Sequence, residues 1–456
     1  MPRESQRLPA DNYVKHIAGL MQSYETALQR LATVGIAAEA ILIHSGSTDY
    51  YYADDRAMAF QPFGHFAHWL PVSRPDQFVL ICPGKKPCYF QIIPDDFWYD
   101  QSILNESWWM DQFQITTLNQ IHKIRHNMAG NQAIAYIGPN PAIANTLELD
   151  EALVNLPELI HFLDFHRAFK TDYELEQLKQ ANKLALVGHA AARSCFLDGG
   201  SEYAIHMVYL HACQQLEDEC PYTSIVALNE KAAILHYQNK RRASATNNRV
   251  LLIDAGCRIN GYCSDVTRTV TAPGTNPVFV SILNAVKTLE MSLVDRVKPG
   301  LDYLEFHSVA MQGIAEILVS HELCQGSVNE LMEKDIPALF MPHGVGHLLG
   351  IQVHDVGGKQ ISVSGEVRNP PANYPALRNT RTMTENMVFT IEPGFYFIPM
   401  LLESQKGSKR GSHINWKLTE ELYPLGGIRI EDNVRVTPRG AENLTRQFEV
   451  AIENDY

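Results

Sequence analysis

Apolar residues recur at helical spacing from the start of the chain. Val14, Ile17, Leu20, Met21, Tyr24, Leu28 and Leu31 fall mostly three or four apart, which predicts an amphipathic helix. Shorter apolar runs at 40–44, 78–82, 88–93 and 133–137 are separated by polar or Pro/Gly-bearing segments and predict strands of a small α/β domain. The aromatic residues Tyr50, Tyr51, Tyr52, Trp98, Trp108 and Trp109 in this part are expected in a core or an interface. The pattern changes near residue 166. Thr171-Asp172-Tyr173-Glu174 fits a capping box, and the helix-rich segment it opens stops at Gly199-Gly200, beyond Leu197. This divides the chain into domains 1–166 and 167–456, with the boundary between 160 and 172. The second domain alternates strands, expected at 223–227, 250–255, 264–270, 388–397 and 427–436, with helices at 277–294 and 303–319. Residues 358–378 and 404–426, rich in Gly, Ser, Asn and Pro, are expected as long loops.

One pair of strands stands out. Two apolar runs flank Asn260-Gly261, the strongest short-range hairpin signal. With a two-residue turn there, Asp265 faces Gly256 and Asp254 lies two positions along the same strand. The two carboxylates then project from one face as diagonal neighbours, roughly 7–8 Å apart at the backbone. Two Asp side chains so placed can converge on a pair of cations about 3.5–4 Å apart. Taken alone, the hairpin favours the plainer reading, with Asp254 a turn residue and Asp265 a solvated alternate position.

Composition narrows the field. Hydrophobic residues at 45% and charged residues at 20% are ordinary for a globular chain of 456 residues. The balance of 38 basic against 51 acidic residues, −13 overall, argues against nucleic acid or an anionic membrane as the main partner. No run of eighteen apolar residues occurs, and residues 1–7 are not followed by a leader-like apolar stretch, so a cytoplasmic protein is expected. The eight cysteines form no CxxC pair, which removes the usual thiolate zinc site. Cys257 and Cys263 flank the hairpin turn as small hydrophobes rather than a disulfide.

Three further segments carry candidate ligands. In Pro342-His343-Gly344-Val345-Gly346-His347 the histidines lie four apart, but the glycines argue against a helix, so the two rings need not serve one metal. His354 follows. Phe389-Thr390-Ile391-Glu392-Pro393 ends an apolar strand on a carboxylate, held extended by the proline behind it. Ile428-Arg429-Ile430-Glu431-Asp432 alternates, placing Arg429 and Glu431 on one strand face. Each segment alone is ordinary. Together Asp254, Asp265, His347, Glu392 and Glu431 form an oxygen-rich set suited to divalent ions such as Mn²⁺, with Co²⁺ or Zn²⁺ as substitutes. Four negative charges balance two such ions, leaving a bridging hydroxide as nucleophile.

These segments, IDAG, SDVTRT, HGVGHLLG, TIEPG and GIRIED, resemble in identity and order those of the proline-specific metallopeptidases of the pita-bread fold. The likeness covers nearly the whole chain and is strongest to bacterial Xaa-Pro dipeptidases (prolidases) of the PepQ type. It implies an N-terminal α/β domain before a pita-bread catalytic domain, two metals on Asp254, Asp265, His347, Glu392 and Glu431, and bridging roles for Asp265 and Glu431. It further implies that His236, His343 and His354 line the site and that Glu392 is the general base. Arg378 corresponds to the arginine that grips the substrate's carboxylate and Arg429 to a supporting residue. Tyr222, Tyr303 and Val353 match the pocket, and Asp55 corresponds to a residue reaching a partner's site across a homodimer. The implied reaction is hydrolysis of Xaa-Pro dipeptides, with organophosphorus triesters as side substrates. An aminopeptidase P acting on longer Xaa-Pro peptides shares the ligand set. A non-catalytic relative is disfavoured because no ligand is missing, and a methionine aminopeptidase because of the extra N-terminal domain.

Overall fold

The computed structural model describes residues 10–101, 108–128, 133–244 and 247–449; residues 1–7, read above for a leader, lie outside them. The chain forms two compact units. One comprises residues 1–167, 171–173 and 362–366, and the other 168–170, 174–361 and 367–456.

In the first unit, α1 (Ala10–Thr33) buries Tyr13, Ile17, Leu20, Tyr24, Ala27, Leu28 and Leu31. The stripe is the predicted one except at Val14, which is 44% exposed, while Tyr13 turns inward. The strands are β1 (Ala40–His44), β2 (Phe78–Ile81), β3 (Cys88–Ile92), β4 (Gln114–Leu118) and β5 (Ile134–Ile137), in the sheet order β4-β3-β2-β1-β5. The polar β4 and the helix α2 (Pro157–Arg167) were not anticipated. The aromatic expectation fails for the core: Trp109 is buried, but Tyr52 is fully exposed and Trp98 78% exposed.

In the second unit, α3 (Asp172–Leu197) ends before Gly199, whose φ of 85° suits glycine. It is followed by α4 (Glu202–Cys213), β6 (Ile225–Leu228) and β7 (Val250–Asp254). Beyond them come the short β8 (Arg258–Ile259) and β9 (Tyr262–Cys263), then β10 (Thr267–Thr271). Asn260 and Gly261 both take positive φ (49° and 91°), and pairs such as Ile259 with Tyr262 and Asp254 with Thr267 keep the register set by that turn. Helices α5 (Pro277–Arg296) and α6 (Tyr303–Ser320) pack in the largest core cluster. By length and composition α5 could cross a membrane, but Phe279, Ile282, Leu283, Val286 and Leu293 are buried in that core.

Two expected long strands are each divided. Residues 388–397 form β11 (Val388–Ile391) and β12 (Gly394–Tyr396), parted at Glu392-Pro393. Residues 427–436 form β13 (Gly427–Arg429) and β14 (Asp432–Thr437), parted at Ile430-Glu431. Proline cannot donate to a ladder, which accounts for the first break. At the second, Glu431 pairs instead with Thr267 at the end of β10. Arg429 and Glu431 therefore do not share one continuous strand. The expected loop 404–426 contains a helix, Trp416–Leu422, begun by the Asn415 side chain. The mixed α/β architecture itself is as expected. All eight cysteines are free thiols.

Candidate active site

Strand ends from both halves of the second unit meet at a cavity of about 410 Å³. Asp254 closes β7, and Asp265 follows the hairpin on the way into β10. The Tyr222 hydroxyl lies 2.7 Å from Asp254 Oδ1 and 2.6 Å from Asp265 Oδ1, which fixes the two carboxylates side by side. The hairpin needs a glycine where it approaches itself: a Cβ on Gly256 would collide with the Ser264 carbonyl.

The glycine-rich segment 342–350 is extended, as its composition implies. It runs beside β11, with Thr390 N donating to His347 O (2.9 Å) and Glu392 N to Val345 O (2.9 Å). A Cβ on Gly346 would strike the Thr390 carbonyl, so this close pairing requires the glycine. His347 Nδ1 donates to Leu348 O at 3.0 Å. Nδ1 therefore carries a hydrogen, and Nε2 is turned to Asp265 Oδ2 (3.4 Å) and Glu392 Oε1 (3.7 Å); burial opposes a charge on the ring, but these carboxylates raise its pKa. A ring held this way suits a metal ligand. Asp265, His347 and Glu431 each bring a donor atom within 4.8 Å of the others, all buried.

Glu431 is 2% exposed and takes a hydrogen bond from Thr267 Oγ1 at 2.7 Å. Arg429 donates from Nε to the same hydroxyl (3.1 Å), from Nη1 to the Tyr396 hydroxyl (2.9 Å) and from Nη2 to Asp254 Oδ2 (2.5 Å). The strand break thus separates Arg429 from Glu431 along the backbone, while Thr267 rejoins their side chains. Asn433 holds Asp265 from behind, accepting from its N–H at 3.0 Å and donating to its carbonyl at 2.5 Å.

Four carboxylates against one guanidinium leave an electrostatic deficit. Burial pushes the Glu431 carboxyl well above its usual value, and repulsion from Asp265, Glu392 and Asp254 adds to it. Burial raises Glu392 to about 7, with His347 and Arg429 opposing. Asp254 is raised by burial, against the pull of Arg429. Asp265 runs the other way. Burial opposes its charge, but His347 and Tyr222 together hold it below the usual range. Buried carboxylates so crowded carry their charge only with added cations. The donor set fits divalent metal.

His343 is engaged by the protein itself. Its Nδ1 donates to Gly344 O (2.8 Å) and its Nε2 accepts from the Tyr396 hydroxyl (3.0 Å). Burial, reinforced by Arg429, lowers it to about 3, so it is neutral. His236, His354 and Arg378 line the cavity wall and are exposed, and Val353 lines it too. His354 lies edge-on to His347 with ring centroids 4.3 Å apart, and burial lowers its pKa to about 4. The buried ion pair Lys170–Asp355 (3.0 Å) anchors the turn that carries His354.

One expected pocket residue falls elsewhere. Tyr303 is fully buried behind the wall, among Phe306 and Phe389, with its hydroxyl 3.5 Å from Thr390 O. Its position at the start of an apolar helix favours the core over the cavity. Asp55 is an exposed residue of the first unit, and its expected reach concerns the site of a second chain. Sequence reading passed over Thr267, Tyr396 and Asn433, whose roles come from partners more than thirty residues away. For Thr267 one signal existed: it opens TRT immediately after SDV.

Residues 176–438 match the model of metallopeptidase family M24, and residues 11–165 match that of the Xaa-Pro dipeptidase N-terminal domain. The chain belongs to metallopeptidase family M24, among its Xaa-Pro dipeptidases. The Xaa-Pro dipeptidase of Marinobacter nauticus is 41% identical over 95% of this chain and 97% of its own length. That of Actinobacillus pleuropneumoniae is 36% identical over 97% and 98%. In fold the chain is similar to Pseudomonas aeruginosa aminopeptidase PepP, with a TM-score of 0.71 at 23% identity, covering 98% of this chain and 99% of that one. A zinc-substituted E. coli aminopeptidase P in complex with product gives 0.71 at 22%, covering 96% and 99%. Membership of M24 makes the chain a metallopeptidase, and the cavity at the strand ends is its candidate active site.

Proposed function

We propose that the chain hydrolyses Xaa-Pro dipeptides and releases the C-terminal proline. Asp254, Asp265, His347, Glu392 and Glu431 would hold two divalent cations in the cavity. The observation that carries this reading is the convergence of four carboxylates and one imidazole nitrogen on one cavity, where among the described residues Arg429 is the guanidinium bonded to the cluster. When bound, the cations activate water near neutral pH and polarise the scissile carbonyl; Mn²⁺ is the expected ion, with Co²⁺ or Zn²⁺ as substitutes.

The chain's own groups do the rest. Arg378, exposed on the cavity wall, grips the substrate's terminal carboxylate in a two-pronged hydrogen bond. A carboxylate on the residue just past the scissile bond is missing from any peptide that continues beyond proline, so that grip separates Ala-Pro from Ala-Pro-Ala. His354 and His236 donate hydrogen bonds to the oxygen of the tetrahedral centre. Glu392, at the edge of the carboxylate cluster, takes the proton from the attacking water and passes it to the departing proline nitrogen. Tyr222 and Arg429 keep Asp254 aligned. His343 contributes to orientation through Tyr396, since both of its nitrogens are already in use.

The rival is an aminopeptidase P, favoured by the fold likeness but not by the 36–41% identity to dipeptidases. Chelator-stripped protein restored with Mn²⁺ is assayed for proline release from Ala-Pro and Leu-Pro beside Ala-Pro-Ala, with Asp265→Asn as control. Metal- and Asp265-dependent cleavage of the dipeptides alone is the expected result. Equal cleavage of the tripeptide makes the protein an aminopeptidase P. Silence on all peptides with metals bound removes the peptidase reading and turns attention to phosphotriesters.

A further inference from the structure

Arg378, the proposed grip for the substrate's carboxylate, has no hydrogen-bond or ion-pair partner of its own among the described residues. No neighbouring group steers its side chain, so the backbone that carries it decides where the guanidinium can reach. Residues 369–378, NPPANYPALR, contain three prolines and form neither helix nor strand. Proline lacks the N–H that a ladder or helical turn would use, so this backbone must be fixed by other contacts.

The middle of the segment is packed. Leu377 is 1% exposed in the largest core cluster, and Tyr374 lies edge-on to buried His307 with ring centroids 4.5 Å apart. Its two ends are tied by one side chain. Arg368 precedes the segment, and Thr380 lies two residues beyond Arg378. The Thr380 hydroxyl donates to Arg368 O at 2.6 Å, and Arg368 Nη2 donates to Thr380 O. The same guanidinium forks onto Asp302, with Nη1 to Oδ2 at 2.7 Å and Nη2 to Oδ1 at 3.2 Å.

Asp302 is a fixed post. Its side chain caps α6 by accepting from Leu304 N at 2.8 Å, and its backbone forms a bridge with Thr382. Against the cost of burial, Arg368 and the Leu304 N–H hold its carboxyl below the usual value. Two backbone bonds complete the base, Arg368 N to Lys359 O and Thr380 N to Gly358 O, both 2.9 Å. All of these groups belong to the second unit. The ion pair is about one-third exposed on each side, so it adds little to overall stability. A planar fork nevertheless meets its acceptors in one geometry, which suits it to hold a position.

We propose that Arg368 is a positioning residue for Arg378. By tying both ends of the segment to the cap of α6, it holds the carboxylate grip where a dipeptide's terminus falls. This deepens the dipeptidase reading and rests on the role given there to Arg378. Without Arg368 the segment keeps its anchor at Leu377 but is released at both ends, and the guanidinium spreads over positions off the carboxylate. The loss falls on substrate binding, because Asp302, Arg368 and Thr380 are not among the residues that line the cavity.

The test is Ala-Pro turnover by the full-length Mn²⁺-loaded protein. Arg368→Ala should raise KM about tenfold and leave kcat within about threefold of the parent. Its metal content should match the parent's, and its Tm should fall by a few degrees at most. Arg368→Lys, which keeps the charge on Asp302 but not the fork, should recover part of the KM. Asp302→Asn, which keeps the capping oxygen, should raise KM in the same direction. On an Arg378→Ala background, adding Arg368→Ala should change kcat/KM by less than about twofold, since a displaced backbone matters only while the guanidinium is present. If Arg378→Ala raises KM and Arg368→Ala does not, the proposal is overturned and the grip stands. Losses that add in the double variant, or a fall in kcat and metal content with Arg368→Ala, overturn it by assigning Arg368 to folding. A KM unmoved by Arg378→Ala removes the grip, and the proposal with it.

Discussion

Glu431 and Asp432 are adjacent in sequence, both almost fully buried, and they belong to opposite electrostatic worlds. Glu431 faces the front of the strands among Asp254, Asp265 and Glu392, where one guanidinium serves four carboxylates. Asp432 faces the back, where Arg268 and Arg446 saturate it and Asn443 adds a hydrogen bond at 2.6 Å. The carboxyl of Glu431 is pushed well up by burial and repulsion. That of Asp432 is held below its usual value by the two guanidinium groups, despite burial. The chain supplies its own counter-charge at the back and leaves it out at the front. A buried charge without a partner costs too much to keep by accident. The front is therefore built for cations from outside.

Asp265→Asn should break the front most severely. Proline release from Ala-Pro should fall on the order of a thousandfold, with fewer than two metals per chain by elemental analysis. Its chelated form should be somewhat less stable than the chelated parent, because the Asp265 charge is the one in the cluster that His347 and Tyr222 favour; a chelated variant more stable than the parent would contradict that balance.

Arg268→Gln tests the back and should invert the outcome. It strips a guanidinium from buried Asp432 and should cost about 3–5 kcal/mol of stability, read by denaturant unfolding. A variant as stable as the parent would show that the back is not self-balanced. Thr267→Val sits between the faces and removes the hydroxyl shared by Glu431 and Arg429. Metal affinity should weaken about 10–100-fold with little change in Tm, measurable by metal-buffer titration.

The smallest effect concerns His307, buried in α6 with neither ring nitrogen partnered. Burial lowers its pKa to about 4. The unfolded chain takes up this proton near pH 6.5 and the folded chain refuses it until about 4. Stability is therefore present above the unfolded value and is lost as pH falls through that window. At pH 5 the loss amounts to about 2 kcal/mol. His307→Leu should remove it, so the Tm advantage of the variant over the parent should be larger at pH 5 than at pH 8. Parallel pH profiles would rule this out.

Much of the candidate site was legible in the sequence because its donors sit at the ends of short patterned segments. Each of Asp254, His347 and Glu392 is flanked by apolar or glycine residues that make a charge or imidazole conspicuous. Thr267, Tyr396 and Asn433 carry no such mark. A threonine in a strand and a tyrosine in an apolar run are ordinary, and their work depends on partners at Glu431, His343 and Asp265.

What the sequence alone determined was local. Asn260-Gly261 accepts the two positive φ values of the tight turn, which sets the register that brings Asp254 beside Asp265. Gly199-Gly200 ended the long helix, and the glycines around His347 kept that segment extended. What only the tertiary structure decided was where strands stop and which faces they share. The break at Glu431 exists because Thr267, 164 residues away, offers a backbone partner there. Turn chemistry acts within a few residues and leaves its signature in them, whereas pairing between distant strands is a property of surfaces that exist only after folding.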